Sequence, residues 1–167
     1  MNAAVNAFFL ILKLLSLYFL VVSLFSLCKR KMQKSSTTQR RFAVLIAARN
    51  EESCIAGLIE SLLAQNYPSE LFDIWVLPNN CTDHTADAAR HAGGKVLEMP
   101  TSIHSKGAAL QYAANTLLHG SRYYDAFCVF DADNEVDPAF LSEMNQALSR
   151  SAIVKSRILA KNRMQAG

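Results

Sequence analysis

From Phe42 onward, short apolar runs alternate with segments of helical spacing, and that alternation leaves few folds open. Phe42-Ala43-Val44-Leu45-Ile46-Ala47 reads as a first strand, and Phe72-Asp73-Ile74-Trp75-Val76-Leu77 as a second. Lys95 to Met99 gives a short third strand, Ala126 to Phe130 a fourth, and Ile153 to Lys161 a further one. Between them, Cys54 to Gln65 places Ile55, Leu58, Ile59, Leu62 and Leu63 on one helical face, and Tyr67-Pro68 ends it. A helix from Asp83 to His91 follows, with Thr82 as its N-cap and Gly93-Gly94 closing it. The next runs from Lys106 to Leu118 and stops at Gly120. Asp137-Pro138 then opens a last helix, to about Arg150, as a cap followed by proline at the first helical position. Continuous apolar strands alternating with helices predict an α/β fold, a mainly parallel sheet covered on both faces. Ligands bind such sheets beyond the carboxyl ends of the strands.

The polar residues beyond those ends are therefore the first place to look for chemistry. Ala48-Arg49-Asn50-Glu51-Glu52 follows the first strand, and Pro78-Asn79-Asn80-Cys81-Thr82-Asp83 the second. Thr101 to Gly107, with His104 and Lys106, follows the third; Asp131-Ala132-Asp133-Asn134 follows the fourth. Two carboxylates at i and i+2 on extended chain share a face, which suits a hard divalent cation, Mg²⁺ or Mn²⁺, completed by substrate phosphates. Each group also has a bland reading. Asn50 and Glu51 suit a cap and a first-turn acid, Asn79-Asn80 a turn, and Lys106 a solvated helix end. Their conjunction at four successive strand ends points instead to a nucleotide-diphosphate site.

Ahead of this region the chain is almost wholly apolar from Ala3 to Cys28, broken by Asn6, Lys13 and three serines. Phe8 to Cys28 has the length of a bilayer-crossing helix, about 20 residues, and Lys13 lies close enough to one end to snorkel. Lys29, Arg30, Lys31, Lys34, Arg40 and Arg41 follow with no acid among them. The positive-inside rule makes that flank cytoplasmic. The expected organisation is a transmembrane anchor over residues 1–28, a basic juxtamembrane linker over 29–41, and a domain from 42 to 167. The expected location is the cell (inner) membrane, with the domain in the cytoplasm.

Several function classes drop out. No stretch interleaves aromatic and basic residues as a nucleic-acid surface does, so no nucleic-acid partner is expected. Cys28, Cys54, Cys81 and Cys128 are scattered without a C-x-x-C pair, and His84, His91, His104 and His119 lack metal-ligand spacing. No G-x-G-x-x-G follows any strand, which argues against a dinucleotide oxidoreductase. Ala48 to Glu52 holds no glycine, unlike the phosphate-cradling loop of sugar-phosphate nucleotidyltransferases.

Four motifs in order resemble the family 2 glycosyltransferases: Ala47-Ala48-Arg49-Asn50-Glu51-Glu52, Asn80-Cys81-Thr82-Asp83-His84-Thr85-Ala86, Ser105-Lys106-Gly107-Ala108-Ala109-Leu110 and Asp131-Ala132-Asp133. The resemblance covers about Phe42 to Asn162, the donor-binding half of that family's catalytic domain. It implies a GT-A fold, a UDP-sugar-like donor, inverting transfer to a glycan or lipid acceptor, and Mg²⁺ or Mn²⁺ as cofactor. By the same resemblance Ala48 and Glu51 hold the nucleoside, and Asn79 and Asp83 lie in the loop that reaches base and ribose. Lys106 lies near base or diphosphate, Asp131 near ribose and metal, and Asp133 binds the metal. The family usually has Asp where this chain has Asn79. A carboxylate accepts from uracil N3–H, and an Asn carbonyl oxygen can also accept, without the charge.

The family's catalytic base, an Asp in a later acidic motif, has no counterpart, because no Asp or Glu follows Glu143. A later arginine–tryptophan motif is absent too. The base is therefore expected beyond Gly167, in a longer enzyme of which this is the donor-binding half. The alternative is a non-catalytic membrane protein that binds nucleotide-sugar without transferring it.

Overall fold

The computed structural model describes residues 3–27 and 38–156. The chain divides into two compact units, residues 1–35 and 36–167. The first contains one helix, α1 (Ala3–Leu27). Its 25 residues extend about 37 Å at 1.5 Å per residue. The side chains described on it run unbroken only from Phe8 to Val21 and are exposed. Among the described residues no helix is long and apolar enough to cross a membrane. The expected helix is thus present over Ala3–Leu27, and the membrane span read into it finds no support among the described residues. Lys29, Arg30, Lys31 and Lys34 lie outside the described residues.

The second unit is an α/β layer structure. β1 (Phe42–Ala48), α2 (Ile55–Leu63), a 3₁₀ turn (Ser69–Leu71), β2 (Phe72–Pro78), α3 (Thr85–His91), β3 (Lys95–Val96), α4 (Lys106–Leu118), β4 (Ala126–Asp131) and α5 (Phe140–Ala147) follow in order. The four strands are all parallel, in the order β3-β2-β1-β4. Pleating sends alternate β1 residues to opposite faces. Phe42, Val44, Ile46 and Ala48 pack with Ile55, Leu58, Ile59 and Leu62 of α2, Ala89 of α3 and Leu141 of α5. Ala43 and Leu45 pack with Ala113 and Leu117 of α4. The sheet is covered on both faces, as its apolar runs require. β1, β2 and β3 step outward in one direction, and the chain then crosses under α4 to place β4 on the other side of β1. That reversal between β1 and β4 is the topological switch point, where this class of sheet opens a crevice.

Of the departures from the sequence reading, three have a clear local reason. β3 is two residues long rather than five: it lies on the sheet edge against β2, and after the Val76–Val96 pair Pro78 has no N–H to donate the next ladder bond. α3 starts at Thr85, and Thr82 does not cap it. The Thr82 N–H goes to Asn50 Oδ1 (2.8 Å), and Asp83 Oδ1 takes the Thr85 N–H instead (3.1 Å). α5 starts at Phe140, not at Pro138. The carbonyls that would begin an earlier helix serve the end of α2: Pro138 O accepts from Asn66 N–H (2.7 Å) and Asp137 O from Gln65 Nε2 (2.7 Å). Residues 153–156 have no regular structure, and the rest of the strand expected there lies outside the described residues.

Buried polar groups hold the start of the domain in register. Asn145 on α5 accepts the Arg40 N–H at Oδ1 (3.1 Å) and donates to Thr38 O (3.2 Å), and Tyr67 Oη donates to Arg40 O (2.7 Å). A second cluster sits near the amino end of β2, on the α4 face. Asp73 is only 7% exposed. It meets Lys95 Nζ at 2.8 Å and Arg122 Nε at 2.9 Å, and accepts from Tyr124 Oη at 2.6 Å. The Arg122 Nε–H is not aimed along that contact, so the pairing is Coulombic rather than a hydrogen bond.

Candidate active site

Beyond the carboxyl ends of β1, β2 and β4 lies an open cleft of about 330 Å³, lined by Ala47, Ala48, Arg49, Glu51, Asn79, His104, Lys106 and Asp131. Five of the seven expected site residues are thus brought together: Ala48, Glu51, Asn79, Lys106 and Asp131. Parallel registry is the cause, because Ala47 pairs with Leu77 and Asp131, and Ala48 with Pro78. The strand ends stand level, and their loops leave the sheet on the same side.

Two loops are laced together to form the wall. Asn50, at φ +57°, turns its Oδ1 to the Thr82 N–H. The Glu51 N–H donates to Thr85 Oγ1 (2.9 Å), the Glu52 N–H to Asp83 Oδ2 (3.2 Å), and the His84 N–H to Glu52 Oε2 (3.1 Å). Asp83 is a strut here, outside the cleft lining. Its Oδ1 also accepts from Thr85 Oγ1 (2.5 Å), a bond that holds its carboxyl below the usual range. Thr85 is fully buried beneath both loops, and the sequence reading gave it no role. Thr85→Val keeps the shape but leaves the Glu51 N–H without its acceptor. We expect a loss of about 1–3 kcal/mol in stability, read by urea titration, and weaker nucleotide binding. A change below about 0.5 kcal/mol would show that Thr85 does not organise this wall.

Glu51 is oriented by a neighbour. The Cys54 thiol donates to Glu51 Oε2 at 3.0 Å. Burial, then Glu51 itself, pushes that thiol up to about 11, so it stays a hydrogen-bond donor at neutral pH. Lys106 Nζ sits on Asp131 Oδ1, and both side chains are at least half exposed. Arg49 and His104 complete this side of the lining and have no hydrogen bond or ion pair among the described residues. Both were visible in the sequence as members of the polar set, without an assigned role.

The acidic pair divides. Ala132 is buried, and Asp131 and Asp133 are exposed on either side of it, as an i, i+2 pair requires. The strand ends at Asp131, however, and turns there: Asn134 N–H donates to Asp131 O (3.1 Å) and Asn134 Oδ1 accepts the Asp131 N–H (3.1 Å). Asp131 lines the first cleft, whereas Asp133 lines a second, of about 540 Å³, with Cys54, Ser61 and Glu135. Among the described residues no group of three or more His, Cys, Asp or Glu side chains could hold a metal ion. Two exposed carboxylates still fit Mg²⁺ or Mn²⁺, provided a bound diphosphate supplies further oxygens.

The sequence pattern described as "Glycosyl transferase family 2" matches residues 43–165. Beta-monoglucosyldiacylglycerol synthase of Nostoc sp. is 40% identical over 43 residues, 26% of this chain and 9% of that protein. The Synechocystis sp. enzyme of the same name is 29% identical over 51 residues, 30% of this chain and 11% of that protein. The matched stretch thus spans about a tenth of these curated relatives. Two solved structures share the fold. One is the mannosyltransferase PcManGT from Pyrobaculum calidifontis in complex with GDP-Man and Mn²⁺ (TM-score 0.62, 18% identity, 78% of this chain and 39% of that one). The other is S. aureus TarS 1-349 (TM-score 0.55, 21% identity, 65% of this chain and 32% of that one).

Proposed function

Because the chain belongs to glycosyl transferase family 2, we propose that its cleft binds a nucleoside-diphosphate sugar and that the protein takes part in passing that sugar to an acceptor. The carrying observation is the meeting of Glu51, Asn79, Lys106 and Asp131 at the switch point of a parallel sheet. Arg49 and Lys106 face the same space, and cations there suit a diphosphate, with His104 beside them as a further hydrogen-bonding group. Glu51, set by Cys54, offers carboxylate oxygens to ribose hydroxyls, and the small Ala48 leaves room beside it. Asp131 would hold a divalent ion together with the phosphates, with Asp133 turning in from the second cleft to join it. Once bound, that ion would offset the charge that develops on the departing nucleoside diphosphate.

Transfer with inversion needs a base for the acceptor hydroxyl. Both carboxylates that line the cleft are engaged, Glu51 by Cys54 and Asp131 by Lys106. That observation favours a second reading, donor binding without transfer. The acceptor in the first reading is a glycan or lipid, and α1 would anchor the protein in the inner membrane with the domain in the cytoplasm. The apolar run from Phe8 to Cys28 and the basic residues after it in the sequence are what support the anchor.

Radiolabelled nucleotide-sugars incubated with the full chain in detergent and Mn²⁺ test the proposal. Transfer or release of sugar supports catalysis, and saturable binding without release supports the second reading. Absence of any nucleotide binding would overturn both.

A further inference from the structure

We infer that Asn79 meets the nucleobase with a hydrogen-bond donor, so that the cleft takes a base presenting an acceptor there, cytosine in preference to uracil. The inference rests on the reading of the cleft as a nucleoside-diphosphate site and narrows it.

A chain of three groups decides which end of the Asn79 amide faces the cleft. The Ile103 carbonyl can only accept, and it lies 2.7 Å from Asn80 Nδ2. That contact settles the orientation of the Asn80 amide. The same Nδ2 lies 2.9 Å from the Asn79 side chain, whose nearer atom must therefore be its oxygen, since two amide nitrogens would repel at that distance. Asn80 spends its two N–H groups on Ile103 O and Asn79 Oδ1. Asn79 is left with its Nδ2 group, for which the described residues provide no acceptor. The residue lines the cleft, is 7% exposed, and has its backbone pinned by a bond from its N–H to Ala48 O (3.0 Å). The Nδ2 atom itself is not sealed from solvent. It belongs to a nearly buried side chain that lines the cleft, so a partner for this donor would come from the cleft.

The sequence reading allowed the Asn79 carbonyl oxygen as an acceptor for uracil N3–H. That oxygen already serves Asn80. A carboxylate at this position would accept from Asn80 with one oxygen and from uracil N3–H with the other. The amide instead sets N–H against N3–H, and both groups go unpaired. Cytosine carries an unprotonated N3 at the same place and is nearly the same size, so the pyrimidine pair isolates polarity from fit.

The lock can be opened without breaking the loop. Asn80 has φ +53°, a left-handed conformation that glycine adopts freely. Asn80→Gly removes the amide that holds Asn79 while keeping the backbone, and the Asn79 amide can then turn over.

The test is calorimetric titration of CDP and UDP into the full chain, in detergent with Mn²⁺, for the parent, Asn79→Asp and Asn80→Gly. Both ligands carry the same diphosphate, so added charge at position 79 cancels in the ratio of affinities. The parent should bind CDP about tenfold more tightly than UDP, the size of one mismatched hydrogen bond. Asn79→Asp should reverse the order, and Asn80→Gly should bring the two within about threefold. A parent that binds UDP as well as CDP, or an Asn79→Asp ratio equal to the parent's, overturns the inference and leaves the proposed function standing. No binding of either nucleotide overturns both.

Discussion

Asp131→Ala should abolish the ability of Mn²⁺ to tighten nucleotide binding, a loss of about 100-fold or more in affinity at saturating ion. The same variant should leave binding in metal-free buffer unchanged or slightly tighter. The sign follows from Lys106. In the free protein its ammonium rests on the Asp131 carboxylate, an exposed pairing worth little and easily exchanged for a divalent ion. Without Asp131 the ion loses a ligand, and Lys106 is released to serve the diphosphate directly. Titrations with and without EDTA read both arms. Equal weakening in the two would make Asp131 a general contact rather than a metal ligand. An unchanged Mn²⁺ effect would remove it from the site.

Asp73→Ala should cost about 3 kcal/mol of stability at neutral pH, at the lower end of the range for breaking a buried pair. The lower end applies because Lys95 and Arg122 are 49% and 35% exposed and recover some hydration when abandoned. Burial opposes the charge on Asp73, but Lys95, Tyr124 and Arg122 outweigh it and hold the carboxyl below its usual range. A depressed folded-state value means the contribution is complete above the unfolded value, near pH 4, and fades as pH falls through the folded one. The difference between parent and variant should therefore shrink below about pH 4. Burial and the Asp73 carboxylate push Tyr124 up to about 12, so its hydroxyl remains a donor throughout this range. Trp75 Nε1 donates to Tyr124 Oη at 3.1 Å, and Trp75 is the sole tryptophan, so its emission reports on this cluster directly. A penalty under 1 kcal/mol, or one that does not change in acid, would show that the network adds nothing net.

The sheet was legible because β1 and β2 are buried on both faces, and β4 keeps an apolar run although it lies at the sheet edge with Val129 exposed. Burial on both faces demands unbroken apolar runs, and such runs survive in a one-dimensional reading. β3 was read too long because Pro78 on β2, which has no N–H to continue the ladder, is remote from Lys95 in sequence. Ala48, Glu51, Asn79, Lys106 and Asp131 were legible as a set because parallel registry brings strand ends level. What sequence could not show is where each polar atom is spent. Asp83 occupies a motif position, yet its oxygens go to Thr85 and Glu52. Asp131 and Asp133 obey the two-residue period, yet a turn after Asp131 opens them to different clefts. Asn79 carries both an acceptor and a donor, and only the contacts through Asn80 to Ile103 decide between them.

The central claim is that the cleft acquires its metal together with its nucleotide, because two carboxylates alone, one already held by Lys106, make a poor ion site. Electron paramagnetic resonance of Mn²⁺ counts free ion directly as the full chain is added, with and without a nucleoside diphosphate. Little ion should disappear from the free signal with protein alone, and much more should do so once nucleotide and protein are both present, beyond what nucleotide binds by itself. Uptake that is the same with and without nucleotide, or no uptake beyond that of nucleotide in buffer, would contradict the account.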